Sequence, residues 1–253
     1  MKRTDKSNLL SRDSLTLQKM VNSDHYIKRV YNQVYLEMKK SGAIKNRDSG
    51  LELGSGGLNL STKHFPKIIQ TEGHYEEANR NIVVYAEKLP FNSENFDFVI
   101  AKDVLHHFKN PITALNEIDR VLKVGGVFVV SEPYWSILGR LVFKFIHPEN
   151  WDTKEKDILS TDYNQRENQA LLFILSKIAS KNFGRIPDTN FSLKLCGHTY
   201  SISYLLAGGV YKRNFLSSNF LNRVNEIETK APKIFNKFFA LNIIATFQKL
   251  PKL

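Results

Sequence analysis

The sequence predicts an α/β fold: a seven-stranded, mostly parallel sheet with helices on both faces and an added helical cap. Three observations predict it. Short apolar stretches alternate with helical stretches over residues 50–131, and the first apolar stretch runs directly into a cluster of glycines. Two further apolar stretches near the end of the chain bring the predicted strands to seven. Such alternation is typical of βαβ units, whose ligands bind at the carboxyl ends of the strands.

The first predicted element is a helix over residues 24–40, where apolar side chains recur at helical spacing and Gly42 follows as a stop. Residues 1–20 are polar and are predicted to be frayed. Pro111 begins a later helix, at a position where proline is tolerated. The predicted strands cover 51–53, 67–71, 82–85, 96–101, 127–131, 191–201 and 241–249; the predicted helices cover 58–64, 74–80 and 111–122, and 134–190 is predicted to be mostly helical.

Composition predicts a globular protein in a reducing compartment. Of the 253 residues, 42% are hydrophobic and 24% are charged, which is enough to bury a core. The one cysteine, Cys196, excludes an internal disulfide and any site built from several cysteines. The polar start lacks the apolar region of a signal peptide, and no apolar run is long enough to span a bilayer. We therefore expect a cytoplasmic protein.

Positive charge is concentrated at the two ends of the chain. The net charge is +11; residues 1–47 carry 11 Lys and Arg against 4 Asp and Glu, and residues 207–253 carry 8 against 2. Basic ends suit a nucleic-acid partner or peripheral contact with an anionic membrane. A solubilising surface of lysines explains them equally well. All three interpretations stay open on charge alone.

The glycine cluster in residues 51–57, LELGSGG, is typical of a turn whose backbone approaches a ligand closely. A dinucleotide fingerprint requires a third glycine at position 59, where the chain has Asn59. A P-loop requires a lysine in register after the glycines, and none follows. Both phosphate-binding motifs are therefore excluded. What remains is an acidic residue, Glu52, followed by a tight glycine turn.

These letters resemble motif I of the class I S-adenosylmethionine-dependent methyltransferases, E/D-x-G-x-G-x-G, in particular the type 11-like group. Further blocks follow in the family's order. Glu72 ends the stretch KIIQTE, 20 residues after Glu52. Residues 86–108 resemble the block A-x-x-L-P-F…F-D-x-V…L-H-H, and residues 115–133 resemble R-V-L-K-P-G-G with its strand. The resemblance implies a Rossmann-like sheet, S-adenosylmethionine as methyl donor and S-adenosylhomocysteine as product.

The resemblance also implies which residues bind the cofactor. Glu72 would accept hydrogen bonds from the two ribose hydroxyls. Adenine would lie between apolar side chains near Ala86 and Leu89, and the backbone around Lys102 would meet the methionine moiety. The implied cofactor-binding residues are Glu52, Gly54, Ser55, Gly56, Gly57, Glu72, Ala86, Glu87 and Lys102.

Three positions depart from the family pattern: Leu58, Tyr85 and Val124. Leu58 replaces the third glycine of the motif, and its side chain is expected to narrow the pocket and weaken cofactor binding. Tyr85 stands where the family often has an acid, and Val124 stands where many relatives have proline. Both of these changes are expected to be tolerated.

Two residues are candidates for handling the acceptor's proton. Methyl transfer from a sulfonium is an in-line displacement, so the protein supplies proximity, orientation and proton removal. Glu132 ends the fifth predicted strand, where it would orient or deprotonate an acceptor; capping the next helix is the alternative. His147 is the second candidate base. Cys196 lies in an ordinary strand context, which does not support a cysteine nucleophile.

No metal site is expected from the sequence. The seven histidines form no H-E-x-x-H motif, and the adjacent His106 and His107 cannot share one face of a helix. In the family's L-H-H block such histidines brace the sheet and the helix that follows. We expect that role here.

Substrate choice is expected to lie in additions to the sheet. The stretch 134–147 is similar, with the segments after it, to bacterial methyltransferases found with enzymes of surface-polysaccharide biosynthesis. This similarity implies O-methylation of a small molecule or saccharide. An RNA methyltransferase and a non-catalytic cofactor-binding homologue stay open as alternatives. The same stretch is predicted to lie in a membrane interface or to pack as a cap, with one helical stripe formed by Trp135, Leu138, Leu141, Val142 and Phe145.

The chain is accordingly expected to have four parts. Residues 1–47 form a basic N-terminal helical extension, and residues 48–135 form the cofactor-binding core. Residues 136–190 form a helical substrate cap. Residues 191–253 complete the sheet and carry a helical insert.

Overall fold

The structure is a computed structural model, and it describes residues 14–73, 82–147, 149–163, 167–199, 202–208 and 216–251. These residues form one seven-stranded sheet with the strand order β3-β2-β1-β4-β5-β7-β6. Strands β1 to β5 are parallel to one another, and β7 is antiparallel to both β5 and β6. The strands are β1 (Gly50–Leu53), β2 (Ile68–Glu72), β3 (Ile82–Val83), β4 (Phe96–Lys102), β5 (Leu122–Pro133), β6 (Phe191–Thr199) and β7 (Asn242–Lys249).

Helices cover both faces of this sheet. Within the described residues, no helix is both long enough and apolar enough to cross a membrane. The helices are α1 (Ser14–Ser23), α2 (His25–Ser41), α3 (Pro111–Val121), α4 (Ile137–Leu141), α5 (Leu171–Lys181), α6 (Ile202–Leu206), α7 (Ser218–Lys230) and α8 (Lys233–Phe239), with 3-10 turns at Ser61–Lys63 and Leu105–His107 and a π-helical turn at Val142–Ile146.

The alternation of side chains along the strands builds a core on each face. Phe128 and Val130 of β5 point into the core that α3 and α5 cover. Val127 and Val129 point into the opposite core, which α2 covers together with residues of α1 and α7. Both faces of β4 and β5 are therefore buried, as expected for central strands of an α/β sheet. We call the second side the α2 face.

The predicted helix over 24–40 is confirmed as α2, and its start has a clear cause. The Asp24 carboxylate accepts hydrogen bonds from Tyr26 N (2.8 Å) and Ile27 N (3.1 Å), which caps the helix. Asn110 caps α3 in the same way by accepting from Thr113 N (2.9 Å), and Pro111 follows at the first helical position.

Two predictions near the start of the chain are wrong. Residues 14–20 of the segment predicted to be frayed belong to α1, which is ordered because its last turn buries Val21 in the core of the α2 face; residues 1–13 lie outside the described residues. The helix predicted at 58–64 is only the 3-10 turn at Ser61–Lys63. Pro66 explains why, because a proline disfavours helical backbone in the residue before it. The helix predicted at 74–80 lies outside the described residues.

Two later elements also differ from prediction. Strand β5 begins at Leu122 rather than at Val127, because Leu122 already pairs with Phe96 before a register shift. In the described part of segment 134–190, the helices are α4, the π-helical turn and α5, so the segment is not mostly helical. Its described remainder is held in turns by side chains. The Asn168 carboxamide, for example, accepts from Asp152 N (3.1 Å) and donates to Asp152 O (2.9 Å).

The predicted apolar stripe on 135–145 is divided between core and surface. Val142 and Phe143 are buried in the core of the α2 face. Ile137, Leu141 and Phe145 are exposed by 55%, 49% and 70%. The helix begins close to the preceding chain because Gly139 has no side chain: a Cβ atom there would lie 2.1 Å from Tyr134 O.

Candidate active site

The candidate site lies at the edge of the sheet where β1, β2, β4 and β5 end. The glycine turn follows β1, Glu72 ends β2, and Asp103 follows β4. Strand β7 runs the opposite way, so that Asn242 at its start pairs with Pro133 at this same edge. The central strand order places β1 beside β4, and ligands of open α/β sheets bind where the order reverses.

The glycine turn has a backbone that other residues adopt only with strain. Gly54, Gly56 and Gly57 have φ angles of 63°, 61° and 65°. A Cβ atom on Gly54 would lie 2.6 Å from Val104 Cγ2, and one on Gly57 would lie 1.8 Å from Gln18 Nε2. Helix α1 therefore lies against the turn. Gln18 Nε2 is buried there and has no hydrogen-bond partner among the described residues.

Glu72 ties the turn to the end of β2. Its side chain is buried, and Oε1 accepts hydrogen bonds from Gly57 N (2.7 Å) and from the Ser55 hydroxyl. Ser55 N in turn donates to Thr71 O at 3.0 Å. The structure thus brings together three residues that the sequence assigned to the cofactor: Ser55, Gly57 and Glu72.

Glu52 lies beneath the turn and faces α2. Its carboxylate accepts hydrogen bonds from Tyr35 Oη (2.7 Å), Ser61 Oγ (2.5 Å) and Gln70 Nε2 (2.8 Å). Burial raises the pKa of Glu52, although these three hydrogen bonds act in the opposite direction. Because the bonds come from the protein itself, they favour a supporting role for Glu52.

Leu58 does not project from the turn into solvent. Its side chain is buried in the core of the α2 face, and its N–H donates to Ser55 O at 3.1 Å. Gly57, directly before it, takes the left-handed backbone conformation. The replacement of the third motif glycine is therefore accommodated by the core.

The loop after β3 is held by charged side chains. Ala86 and Leu89 are buried in the core on the α3 side. The Glu87 carboxylate accepts from Lys109 N (2.8 Å) and Asn110 N (3.2 Å), so it binds the chain that leads into α3. Glu87 therefore has a structural function in addition to the role at the cofactor that was predicted for it.

The end of β4 carries residues that sequence reasoning did not single out. Asp103 has a φ of 56°, which is a strained conformation for a residue with a side chain. Its carboxylate accepts from Asn242 Nδ2 (2.6 Å) and pairs with Lys102 Nζ (2.7 Å), which lies 4.0 Å from the centre of the Tyr31 ring. The position of Asp103 directly after a central parallel strand was the available sequence signal. The contacts of Tyr31 and Asn242 join elements that are far apart in the chain, so no local sequence signal pointed to them.

Glu132 is almost fully buried and anchors the turn that follows β4. Its Oε1 accepts from Val104 N (2.9 Å) and Leu105 N (2.7 Å), and its Oε2 lies 2.6 Å from His106 Nδ1. Burial acts to lower the pKa of His106, but the charges of Glu132 and Glu149 outweigh it and raise that pKa well above its usual value. This geometry favours Glu132 as a residue that positions His106.

His147 lies near His106 and Glu149. Its Nδ1 accepts a hydrogen bond from Glu149 N at 3.3 Å, and its ring packs edge-on against Phe143. Burial lowers the pKa of His147. With Nδ1 as an acceptor, the neutral ring carries its proton on Nε2, where it donates rather than accepts.

His106 and His107 are close together, contrary to the sequence argument from their adjacency. The 3-10 turn brings their ring centroids to 4.2 Å. Burial acts to raise the pKa of Glu149, but His106, His107 and His147 lower it to about 2. The premise of the prediction fails because the residues are not on a regular α-helix.

An aromatic wall continues from the end of β5 to the end of β6. Tyr134 contacts Trp135 (ring centroids 4.8 Å apart) and His198 (4.6 Å), and Trp135 contacts Phe173 of α5 (4.8 Å). Burial lowers the pKa of His198. We call Tyr134, Trp135, Phe173 and His198 the aromatic wall. His198 Nε2 has no hydrogen-bond partner among the described residues.

Comparison with known proteins agrees with this architecture. Residues 57–130 match the family model described as a methyltransferase domain. Among solved structures, the YcgJ protein of Bacillus subtilis superposes with a TM-score of 0.53 at 17% identity, covering 87% of this chain and 99% of that one. The chain has a class I methyltransferase fold. In this methyltransferase fold, the matched segment includes Glu72, the end of β4 and the His106 turn.

Two curated relatives match part of the methyltransferase fold. Uncharacterized protein MJ1123 of Methanocaldococcus jannaschii is 28% identical over 145 residues, which are 53% of this chain and 64% of that protein. Demethylmenaquinone methyltransferase of Staphylococcus haemolyticus is 28% identical over 122 residues, or 45% of this chain and 46% of that protein. The chain thus spans less than two thirds of the length of these relatives.

Proposed function

We propose that this chain transfers a methyl group from S-adenosylmethionine to a small-molecule or saccharide acceptor, with an oxygen of the acceptor as the favoured site. The observation that carries the proposal is the glycine turn joined to Glu72 at the end of β2. The methyltransferase-domain match over residues 57–130 supports the same conclusion.

The residues at the turn fit an adenosine-bearing cofactor. Three glycines with positive φ leave room for close backbone approach, and Gln18 Nε2 is a buried donor that a bound ligand would satisfy. Glu72 would accept the ribose hydroxyls, and the apolar residues Ala86 and Leu89 would border adenine. When bound, the cofactor supplies a methyl group that is already activated by its sulfonium.

The protein's own part in the reaction is orientation and proton handling. Asp103, at the end of β4, would face the acceptor, and its carboxylate is partly exposed. Glu132 would fix the turn after β4, because it holds the backbone of Val104 and Leu105 and the Nδ1 of His106. His147 would donate a hydrogen bond to the acceptor rather than remove its proton. These assignments revise the roles that we predicted from sequence for Glu132 and His147.

The aromatic wall supports the choice of acceptor. Tyr134 and Trp135 offer flat apolar faces, and His198 Nε2 is a polar atom with no hydrogen-bond partner among the described residues. Aromatic faces combined with a few polar groups are typical of small-molecule sites. A saccharide meets both, because its ring has apolar C–H faces and a rim of hydroxyls. Residues 136–190 would then form the substrate cap on the core of residues 48–135.

The test is calorimetric titration of the full chain with S-adenosylmethionine and S-adenosylhomocysteine. We expect both to bind, and we expect Glu72→Ala to weaken binding by roughly 1.5–3 kcal/mol, about ten- to hundredfold in Kd, because hydrogen bonds to a charged group are lost.

The matched control for this titration is Glu226→Ala, which removes an exposed carboxylate on α7 and leaves the turn untouched. Equal affinity in the two variants would place the ribose elsewhere. No binding by the unaltered chain would favour the non-catalytic alternative. RNA binding that weakens steeply with salt, with no transfer to saccharides, would favour the nucleic-acid alternative.

A further inference from the structure

The strongest unassigned cluster of ligating side chains in the described residues comprises His106, His107 and Glu149. One ligand atom from each lies within 4.8 Å of the others. His106 is buried, Glu149 is partly buried and His107 is 40% exposed at its side chain, so the cluster has both a fixed end and an open end. We propose that these three residues bind a divalent first-row transition metal, with Zn²⁺ as the best fit.

The spacing of the ligand atoms supports this proposal. His106 Nε2 lies 3.3 Å from Glu149 Oε2. Ligands that bind one tetrahedral Zn²⁺ at about 2.0–2.1 Å lie about 3.3 Å from each other. The pair is therefore already at the separation that the metal requires. His107 completes the set by a side-chain adjustment, which its exposure permits.

Each histidine also has a carboxylate behind one of its ring nitrogens. Glu132 Oε2 lies 2.6 Å from His106 Nδ1, and Glu167 Oε1 lies 3.4 Å from His107 Nδ1. In metal sites, such a carboxylate fixes the tautomer and directs the other nitrogen at the metal. Two imidazoles and one carboxylate with an open fourth position form a set that Zn²⁺ and other first-row metals accept.

Gln169 lies against two of the proposed ligand atoms, and its amide can adapt to a cation. Its side chain is buried, and its Nε2 lies 3.2 Å from His106 Nε2 and contacts Glu149 Oε2. Its Oε1 has no hydrogen-bond partner among the described residues. A 180° rotation of the amide would turn this oxygen toward His106 Nε2 and Glu149 Oε2, where a cation would satisfy it.

The proposal stands apart from the methyl donor, because none of these residues belongs to the glycine turn or to β2. The site would lie at the same edge of the sheet as the proposed acceptor. Loss of metal binding and loss of cofactor binding can therefore be measured separately on one preparation.

The experiment is titration of the metal-stripped full chain with Zn²⁺ against a chromophoric chelator, together with the visible spectrum of the Co²⁺-loaded chain. We expect one tight equivalent of Zn²⁺ and the intense absorption of low-coordinate Co²⁺. His107→Asn and Glu149→Gln should each weaken binding at least about tenfold. Because His107 is exposed, its variant should fold normally, which circular dichroism checks.

His25→Asn is the matched control, since His25 is an exposed histidine on α2 outside the cluster. It should bind Zn²⁺ as the unaltered chain does. Equal affinities for His107→Asn and His25→Asn, or an octahedral Co²⁺ spectrum that does not change in His107→Asn, would overturn the proposal. Unchanged titration with S-adenosylhomocysteine in His107→Asn would show that the donor site is separate.

Discussion

At the scale of single residues, four left-handed backbone conformations lie at the edge of the sheet that carries the candidate site. Gly54, Gly56 and Gly57 follow β1, and Asp103 follows β4, all with φ between 56° and 65°. Each such conformation costs a residue with a side chain on the order of 1–3 kcal/mol, and it persists where the surroundings enforce it. Val104 packs against Gly54 and Asn242 binds Asp103, so the strain is held by neighbours at the site.

Gly54 provides the clearest test of this strain. Gly54→Ala should lower the free energy of unfolding by about 1–2 kcal/mol, because alanine is disfavoured at φ 63°. Its methyl group would also meet Val104 Cγ2 at 2.6 Å, which should shift the turn and weaken binding of S-adenosylhomocysteine. Urea denaturation and calorimetry measure the two effects.

Gly73 is the matched control for Gly54. It directly follows Glu72 at the same edge, and a Cβ atom there would meet no atom of the described residues within 4 Å. Gly73→Ala should therefore change neither stability nor affinity by much. A loss of stability as large in Gly73→Ala as in Gly54→Ala would show that the turn is not the sensitive point.

At the scale of elements, an ion pair on α3 holds the loop that borders the proposed adenine site. Arg120 donates to Leu89 O (2.9 Å) and Phe91 O (2.7 Å), and Glu117 accepts from Leu89 N (2.8 Å). Arg120 Nε lies 2.7 Å from Glu117 Oε1. The hydrogen bond from Arg120 lowers the pKa of Glu117 below its ordinary value of 4.5, with burial acting in the opposite direction.

This lowered pKa predicts a pH-dependent effect of Glu117→Gln. The contribution of an acid with a depressed pKa is present above its unfolded value and is lost as pH falls through the folded value. Glu117→Gln should therefore cost about 1–2 kcal/mol at pH 7, and the difference should shrink below pH 4.5. Urea denaturation of both proteins at pH 7 and at a pH below 4.5 measures this difference in the free energy of unfolding. A difference that stays constant with pH would mean that packing, not charge, is lost.

Local patterns predicted the elements well where the chain determines them locally. Strands β1, β2 and β4 and helices α2 and α3 follow from apolar periodicity, Asp24, Asn110 and Pro111. The alternation of strands and helices was predictable for that reason, and the resemblance to methyltransferase motifs indicated the glycine turn and Glu72. Helix α1 and the turns after Val142 depend on tertiary packing and on side chains such as Asn168, which no local pattern shows.

The same distinction applies to the site. Glu52 and Glu87 were assigned to the cofactor on the resemblance, and the structure shows protein partners for both carboxylates. The contacts between Lys102 and Tyr31 and between Asp103 and Asn242 join elements far apart in the chain. Sequence reasoning singled out the glycine turn and missed Asp103, because only the fold brings Asp103 and Asn242 together.

At the scale of the whole molecule, the described helices of the two basic segments meet on one face. Helix α2 belongs to the first basic segment and α7 to the second, and Arg29 Nη1 donates to Asn222 Oδ1 at 2.8 Å between them. Val142 and Phe143 are anchored in the core of this α2 face, and α8 packs against α4. The positive charge and the exposed apolar stripe therefore belong to the same side of the sheet.

This arrangement predicts peripheral binding to anionic membranes. Ile137, Leu141 and Phe145 are exposed at helical spacing, and the adjacent Arg140 and Lys144 are exposed cations. An apolar stripe flanked by cations is typical of helices that lie in a membrane interface. The full chain should cosediment with vesicles that contain phosphatidylglycerol and much less with phosphatidylcholine alone, and added salt should weaken the association.

The double variant Ile137→Ser, Phe145→Ser should reduce partition into these vesicles by about tenfold, because two apolar side chains no longer leave water on binding. Phe183→Ser is the control: Phe183 is fully exposed, but it lies in the turn after α5, away from the stripe. A similar loss in both would indicate non-specific adhesion. Partition that weakens with salt but does not change in the double variant would mean that the basic face binds anions without inserting the stripe. That result would favour the RNA-binding alternative.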